Sequence, residues 1–120
     1  MTRSRRSAAD TASPTANLGE LEQLVLLSLL RLGSDAYGAA VRREIEARSG
    51  RSVALTAVYT VLDRLEAKGM VRSTVAPATG ARGGMRRKHF EIRPAGERAL
   101  GVAYRRIQAL ADGLEERLAE

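Results

Sequence analysis

The side chains of this chain arranged for chemistry are cations, and the chemistry they suit is binding an acidic polymer. Between residues 72 and 93 stand Arg72, Arg82, Arg86, Arg87, Lys88 and Arg93 against Glu91 alone, a local charge of +5. A smaller excess, +2, lies in residues 1–17, where Arg3, Arg5 and Arg6 face Asp10. Residues 18–71 balance at zero and residues 94–120 at −1, so the formal charge of +6 is confined to two stretches. Such segregation favours nucleic acid or an anionic lipid surface as partner. A charge run taken alone is most often a solvated face, so its place in a fold must decide.

Bond-making chemistry has little to work with. The absence of Cys removes disulfides, thiolate zinc sites and cysteine nucleophiles, and His89 is the one histidine. No glycine-rich loop stands between a strand and a helix, and no acid–base set converges. The expectation is therefore no enzyme, no metal site and no cofactor. Only Tyr37, Tyr59, Phe90 and Tyr104 are aromatic, too few for a single-strand binder that stacks bases. No apolar run approaches the ~18 residues that span a bilayer. A small, soluble, cytoplasmic protein without a membrane partner is expected, and at 120 residues one compact domain.

The elements that must position the cations read as follows. Residues 1–17 are polar and aperiodic and read as a disordered basic tail; no apolar stretch follows the arginines as a secretory signal would require. Glu20 to Leu32 reads as a helix apolar nearly all round, which asks for cover on more than one side and so for a partner subunit. Gly33 stops it, and Ser34 or Asp35 is placed to cap the next helix, Ala36 to Arg48, which buries Tyr37, Ala40, Val41 and Ile45. Val53–Ala54 reads as a very short strand. A third helix lies within Leu55–Lys68, with Val58, Val61, Leu62 and Leu65 at i, i+3, i+4, i+7 facing the core and Gly69 ending it. Met70–Ala76 and Met85–Ile92 read as a hairpin with an arginine-bearing tip. Pro94 opens a last helix of about 27 residues, in which Leu100, Ala103, Ile107, Leu110, Leu114 and Leu118 form a heptad-like seam for a partner helix.

The fold class is thus mainly α with a small β-hairpin: a winged helix-turn-helix over residues 18–93, followed by a C-terminal dimerisation helix over residues 94–120. The third helix leaves Thr56, Ala57, Tyr59, Thr60, Asp63 and Arg64 off the core face, where a helix entering a major groove about 12 Å wide could touch base edges. Asp63 could take a cytosine amino group, although pairing with Lys68 or solvent is the plainer reading. Tyr37 at the start of the second helix, and Tyr59, are placed to reach phosphates; Arg82, Arg86, Arg87 and Lys88 form the basic wing, and strand alternation keeps these from all facing one way. His89 reads as a structural strand residue. Leu21, Leu24, Leu100, Ile107, Leu110 and Leu114 are the candidate dimer contacts.

The same stretches resemble the PadR-like transcriptional regulators. The resemblance is carried by Ala36-Tyr37-Gly38, by Ala57-Val58-Tyr59-Thr60-Val61-Leu62-Asp63-Arg64-Leu65-Glu66, by Lys68-Gly69-Met70-Val71, and by Arg87-Lys88-His89-Phe90-Glu91-Ile92 with Pro94-Ala95-Gly96. Ala54 and Thr56 stand where the family usually has Ser and Gly, which leaves Thr56 to take over the capping of the third helix. Arg93 replaces the usual capping Thr of the last helix. The resemblance implies a homodimeric repressor that binds double-stranded DNA, often relieved by a small hydrophobic effector or an unknown signal, with such an effector expected near the dimer interface between the first and last helices; a twofold dimer is in turn expected to read an inverted repeat. The alternative is a winged-helix module that docks another protein and binds nucleic acid weakly. Such a module has no need of both a cationic wing and a cationic tail.

Overall fold

The computed structural model describes residues 18–75 and 87–119. It consists of α1 (Glu20–Leu32), a 3-10 turn (Gly33–Asp35), α2 (Gly38–Ser49), α3 (Leu55–Ala67), β1 (Val71–Val75), β2 (Lys88–Ile92), α4 (Pro94–Ala111) and a one-turn α5 (Glu115–Leu118). The expected tail and the hairpin tip, with Arg82 and Arg86, lie outside the described residues. The strands pair antiparallel, Val71 opposite Ile92 and Val75 opposite Lys88. Val25, Leu26, Leu29, Val41, Ile45, Val58, Leu62, Leu65, Met70 and Phe90 fill the core, which is shared by all three helices of the helix-turn-helix and the hairpin.

Each boundary has a local cause. Glu22, three residues into the chain after Gly19, accepts the Gly19 N–H at 2.9 Å and so satisfies one of the free donors at the start of α1. Gly50, in the left-handed conformation at φ 77°, ends α2. At the end of α3 the N–H of Met70 bonds the Leu65 carbonyl at 2.9 Å, and that of Gly69 (φ 79°) bonds Glu66 at 3.0 Å. These two bonds are the Schellman closure, and they drop Met70 into the core.

The second helix begins two residues later than its periodicity suggests. Ala36 and Tyr37 are not helical because the sheet claims them: Ala36, at φ −88° and ψ 76°, sits in a tight turn closed by the Tyr37 N–H on the Asp35 carbonyl at 3.0 Å and accepts the Phe90 N–H at 2.8 Å, and the extended Tyr37 bridges His89. Neither Ser34 nor Asp35 caps α2; Tyr37 holds that position without a side-chain bond. Val53–Ala54 forms no strand and leads straight into α3.

Thr56 does not cap α3. Ala54 is the N-cap residue, with no side chain to offer, and Thr56 sits inside the first turn with its carbonyl accepting Thr60 Oγ1 at 3.0 Å. Ala54→Ser restores an acceptor for the first-turn donors and is expected to raise stability by about 1 kcal/mol. Chemical denaturation checks this; an unchanged midpoint would show that those donors are already satisfied.

The last helix is shorter than its seam. Pro94 stands at its first position as expected, but α4 ends at Ala111, and Asp112-Gly113, with Gly113 at φ 85°, turns the chain before α5. An Asp-Gly pair is a turn signal that outweighs the leucine spacing. Leu114 and Leu118 are thereby taken off the helical seam. Gly96 sits where α4 crosses the hairpin: a Cβ there would lie 2.5 Å from the Met70 carbonyl oxygen, a backbone atom that cannot yield. From Tyr104 to Leu110 every residue of α4 is exposed. No helix among the described residues is long and apolar enough to cross a membrane.

Candidate nucleic-acid interface

The core stripe of α3 fixes what its other face can offer. With Val58, Val61, Leu62 and Leu65 buried, Thr56, Thr60, Asp63 and Arg64 point to solvent, while Ala57 is half-buried at the edge. Thr60 donates its hydroxyl proton to Thr56, so its oxygen keeps acceptor capacity toward solvent. Ala57, Thr60 and Arg64 line one side of a shallow hollow whose other side is the start of α1. Asp63 is exposed, and Lys68 pairs not with it but with the buried carboxylate of Glu22, at 3.1 Å. Glu66 accepts from the Ser73 hydroxyl at 2.7 Å and from its N–H at 3.2 Å, tying α3 to β1.

Tyr59 is 37% exposed, and its position explains why a glycine follows Tyr37. Its ring lies on the α-carbon of Gly38: a Cβ there would be 2.5 Å from the Tyr59 hydroxyl oxygen and 2.7 Å from Cε1. The same ring is tilted against Phe90 of β2, with centroids 6.4 Å apart. Thus the Tyr-Gly at the start of α2 and the Val-Tyr of α3, far apart in sequence, are two halves of one contact.

Beside Gly38, Tyr37 gathers the cations of two elements. Arg43 donates to its hydroxyl at 3.1 Å, the Arg87 guanidinium stands 4.2 Å from its ring centroid, and His89 meets the ring edge-on at 5.9 Å. The hydrogen bond from Arg43, and after it the nearby Arg87 guanidinium, hold the Tyr37 phenol below its ordinary value of 10.0. Lys88 is exposed on the neighbouring strand position, its ammonium 5.8 Å from the Phe90 ring. Arg72, by contrast, is paired with Glu91 directly across the hairpin at 2.8 Å. That pair cancels internally, so the net +5 of this stretch rests on Arg82, Arg86, Arg87, Lys88 and Arg93.

Arg43 was not legible as a site residue. Six positions separate it from Tyr37, which matches no helical pairing, because Tyr37 stands outside α2 as its cap. The remaining sequence candidates fall on two surfaces. Leu100 is 7% exposed and belongs to the core of its own chain, while Leu21 and Leu24 are half-buried against that core. Ile107, Leu110 and Leu114 are exposed, as are Tyr104 and Leu118, and on α1 the exposed leucines are Leu27 and Leu30. A separate groove of about 540 Å³ opens where α1, the hairpin and the start of α4 meet, lined by Leu29, Leu30, Phe90 and Ile92 together with His89 and Glu97.

Comparison with known proteins places this arrangement. A family model described as the transcriptional regulator PadR-like family matches residues 26–102. A PadR family transcriptional regulator from Eggerthella lenta is 28% identical, with a TM-score of 0.62 over 82% of this chain and 86% of that one. A PadR-like transcription factor from Bacteroides fragilis is 21% identical, with a TM-score of 0.67 over 80% of this chain and 87% of that one. A PadR family regulator from Clostridium difficile is 20% identical, with a TM-score of 0.67 over 85% and 100% of the two chains. No curated protein matches the chain.

Proposed function

The chain belongs to the PadR-like family of transcriptional regulators, and from that premise we propose that it is a homodimeric repressor reading an inverted-repeat operator. The observation that carries this reading is the continuity of one surface. The exposed face of α3, Tyr59 on Gly38, and the Tyr37–Arg43–Arg87 cluster at the root of the wing adjoin one another through direct contacts. In this reading α3 enters the major groove and the cluster and wing grip the phosphates beside it. Arg82 and Arg86, which lie between the two strands in sequence, add to the positive charge of that stretch. The exposed seam of α4, with Leu27 and Leu30, is the dimer surface, and a twofold dimer presents its two helices to inverted half-sites about one turn apart. A small hydrophobic effector fits the groove beside α1, whose volume is of the order that small ligands occupy. The protein is proposed to act in the cytoplasm, without catalysis.

Reading and gripping separate experimentally. Arg64→Ala is expected to lose about 1–3 kcal/mol on the selected operator and much less on random duplex. Arg87→Ala and Lys88→Ala should weaken both duplexes alike and lower the salt slope by about 1 each. A salt titration of each variant on both duplexes is the measurement. If the α3 variant lost both equally while the wing variants lost the operator alone, the two roles would be reversed.

A further inference from the structure

The carboxylates on and beside α3 are engaged within the fold, with one exception. Glu20 pairs with Arg51 at 2.8 Å, Glu22 with Lys68 at 3.1 Å, and Glu66 accepts from the Ser73 hydroxyl at 2.7 Å. Asp63 is exposed, and among the described residues it makes no ion pair. Its neighbours one turn away along α3 are Tyr59, Thr60, Glu66 and Ala67, so the helix itself offers it no cation. It also stands well past the first turn of α3, beyond the reach of the favourable end of the helix dipole.

Helical geometry gives this carboxylate a definite place. At about 100° per residue, Thr56, Thr60 and Asp63 lie within about 60° of one another, opposite the buried stripe of Val58, Val61, Leu62 and Leu65. Arg64 stands about 70° to one side of that line and Tyr59 about 70° to the other. A helix with its side chains is about 10–12 Å across, and the major groove about 12 Å wide. In a helix seated there, the central line faces the base edges and the flanks face the two phosphate walls. The cations of this surface stand on the flanks: Arg64 on one, and on the other the Tyr37–Arg43–Arg87 cluster beyond Tyr59 and Gly38.

The central line carries no cation. Thr60 has committed its proton to the Thr56 carbonyl at 3.0 Å, so Thr60 and Asp63 present acceptors to whatever lies in front of them. The hydrogen-bond donors on the major-groove edges are the amino groups of cytosine N4 and adenine N6. Adenine sets its N7 acceptor beside N6, where it repels a carboxylate; cytosine has no such acceptor in the groove.

We infer that Asp63 accepts the N4 amino group of a cytosine in each half-site and so sets the base chosen at the centre of the α3 contact. The inference rests on the DNA-binding reading above and adds to it the identity of a base. The same carboxylate works against thymine and guanine, whose groove edges would bring it face to face with acceptors.

The test is the full chain, native and with Asp63→Ala or Asp63→Asn, each used to select duplexes from a random pool. Both variants should melt like the native chain, because the side chain is exposed. The native chain should select a cytosine at one position of each half-site, and replacing that C·G pair by T·A should weaken binding about 5- to 150-fold. Asp63→Ala should select the same motif with no preference at that position, and should bind the two duplexes nearly alike. Asp63→Asn should prefer adenine there, since an amide can accept from N6 while donating to N7. A native motif without a cytosine in the half-site, or variants that keep the native cytosine, overturn the role of Asp63 and leave the α3 reading intact. A native chain that selects no sequence overturns both.

Discussion

Gly38→Ala is expected to remove operator binding and to destabilise the chain by more than a single methyl group suggests. The added Cβ would stand 2.5 Å from the Tyr59 hydroxyl oxygen and against the ring itself, and the ring is packed toward Phe90 on its other side. A rigid aromatic so placed cannot be relieved by a small rotation, so α2 and α3 must separate. Overpacking of this kind costs about 1–3 kcal/mol. The separation displaces Tyr37, the cap of the same helix, and with it Arg43 and Arg87. Chemical denaturation and binding to the selected duplex measure the two effects. A double-mutant cycle isolates the cause: in a Tyr59→Leu background the same Gly38→Ala change should cost far less stability. Equal costs in both backgrounds would show that the clash is not the origin.

Leu110→Asp is expected to convert the dimer to a monomer. Leu110 is 83% exposed in the isolated chain, so its replacement alters the protomer's own packing little. In the proposed dimer it lies within the seam with Tyr104 and Ile107, where a buried carboxylate is costly. Losing the second reading helix removes the gain of binding two half-sites at once, which is about 10²–10⁴ in affinity. Sedimentation, with titration of duplexes carrying one or two half-sites, checks this. A variant that keeps the native mass and its preference for two half-sites would place the interface elsewhere.

The sequence made the interior more legible than the connections. α1 and the buried stripe of α3 follow from apolar spacing alone, since burial imposes that spacing wherever the helix ends up. The start of α2 does not, because Ala36 and Tyr37 have helix-compatible neighbours yet are taken into the sheet by β2, more than fifty residues away. Lys68 pairs across the fold with Glu22 rather than along its own helix for the same reason: local spacing is silent about distant partners. The end of α4 was readable in Asp112-Gly113, but a leucine repeat running through it obscured the signal. Of the interface, the exposed positions of α3 were legible as the complement of its core, while Arg43 and the Gly38–Tyr59 contact depend on tertiary packing.

The first helix touches both ends of the molecule's proposed work. Near its start Glu20 and Glu22 are tied to Arg51, before α3, and to Lys68, just after it. Toward its other end it exposes Leu27 and Leu30. Thirteen residues of helix make a rod about 20 Å long. In a dimer assembled on those leucines, this rod is a gauge: it sets the separation of the two reading helices before any DNA arrives. A molecule that tilts the rod at its apolar end would then retune which half-site spacing is accepted, leaving each single contact to a base as strong as before.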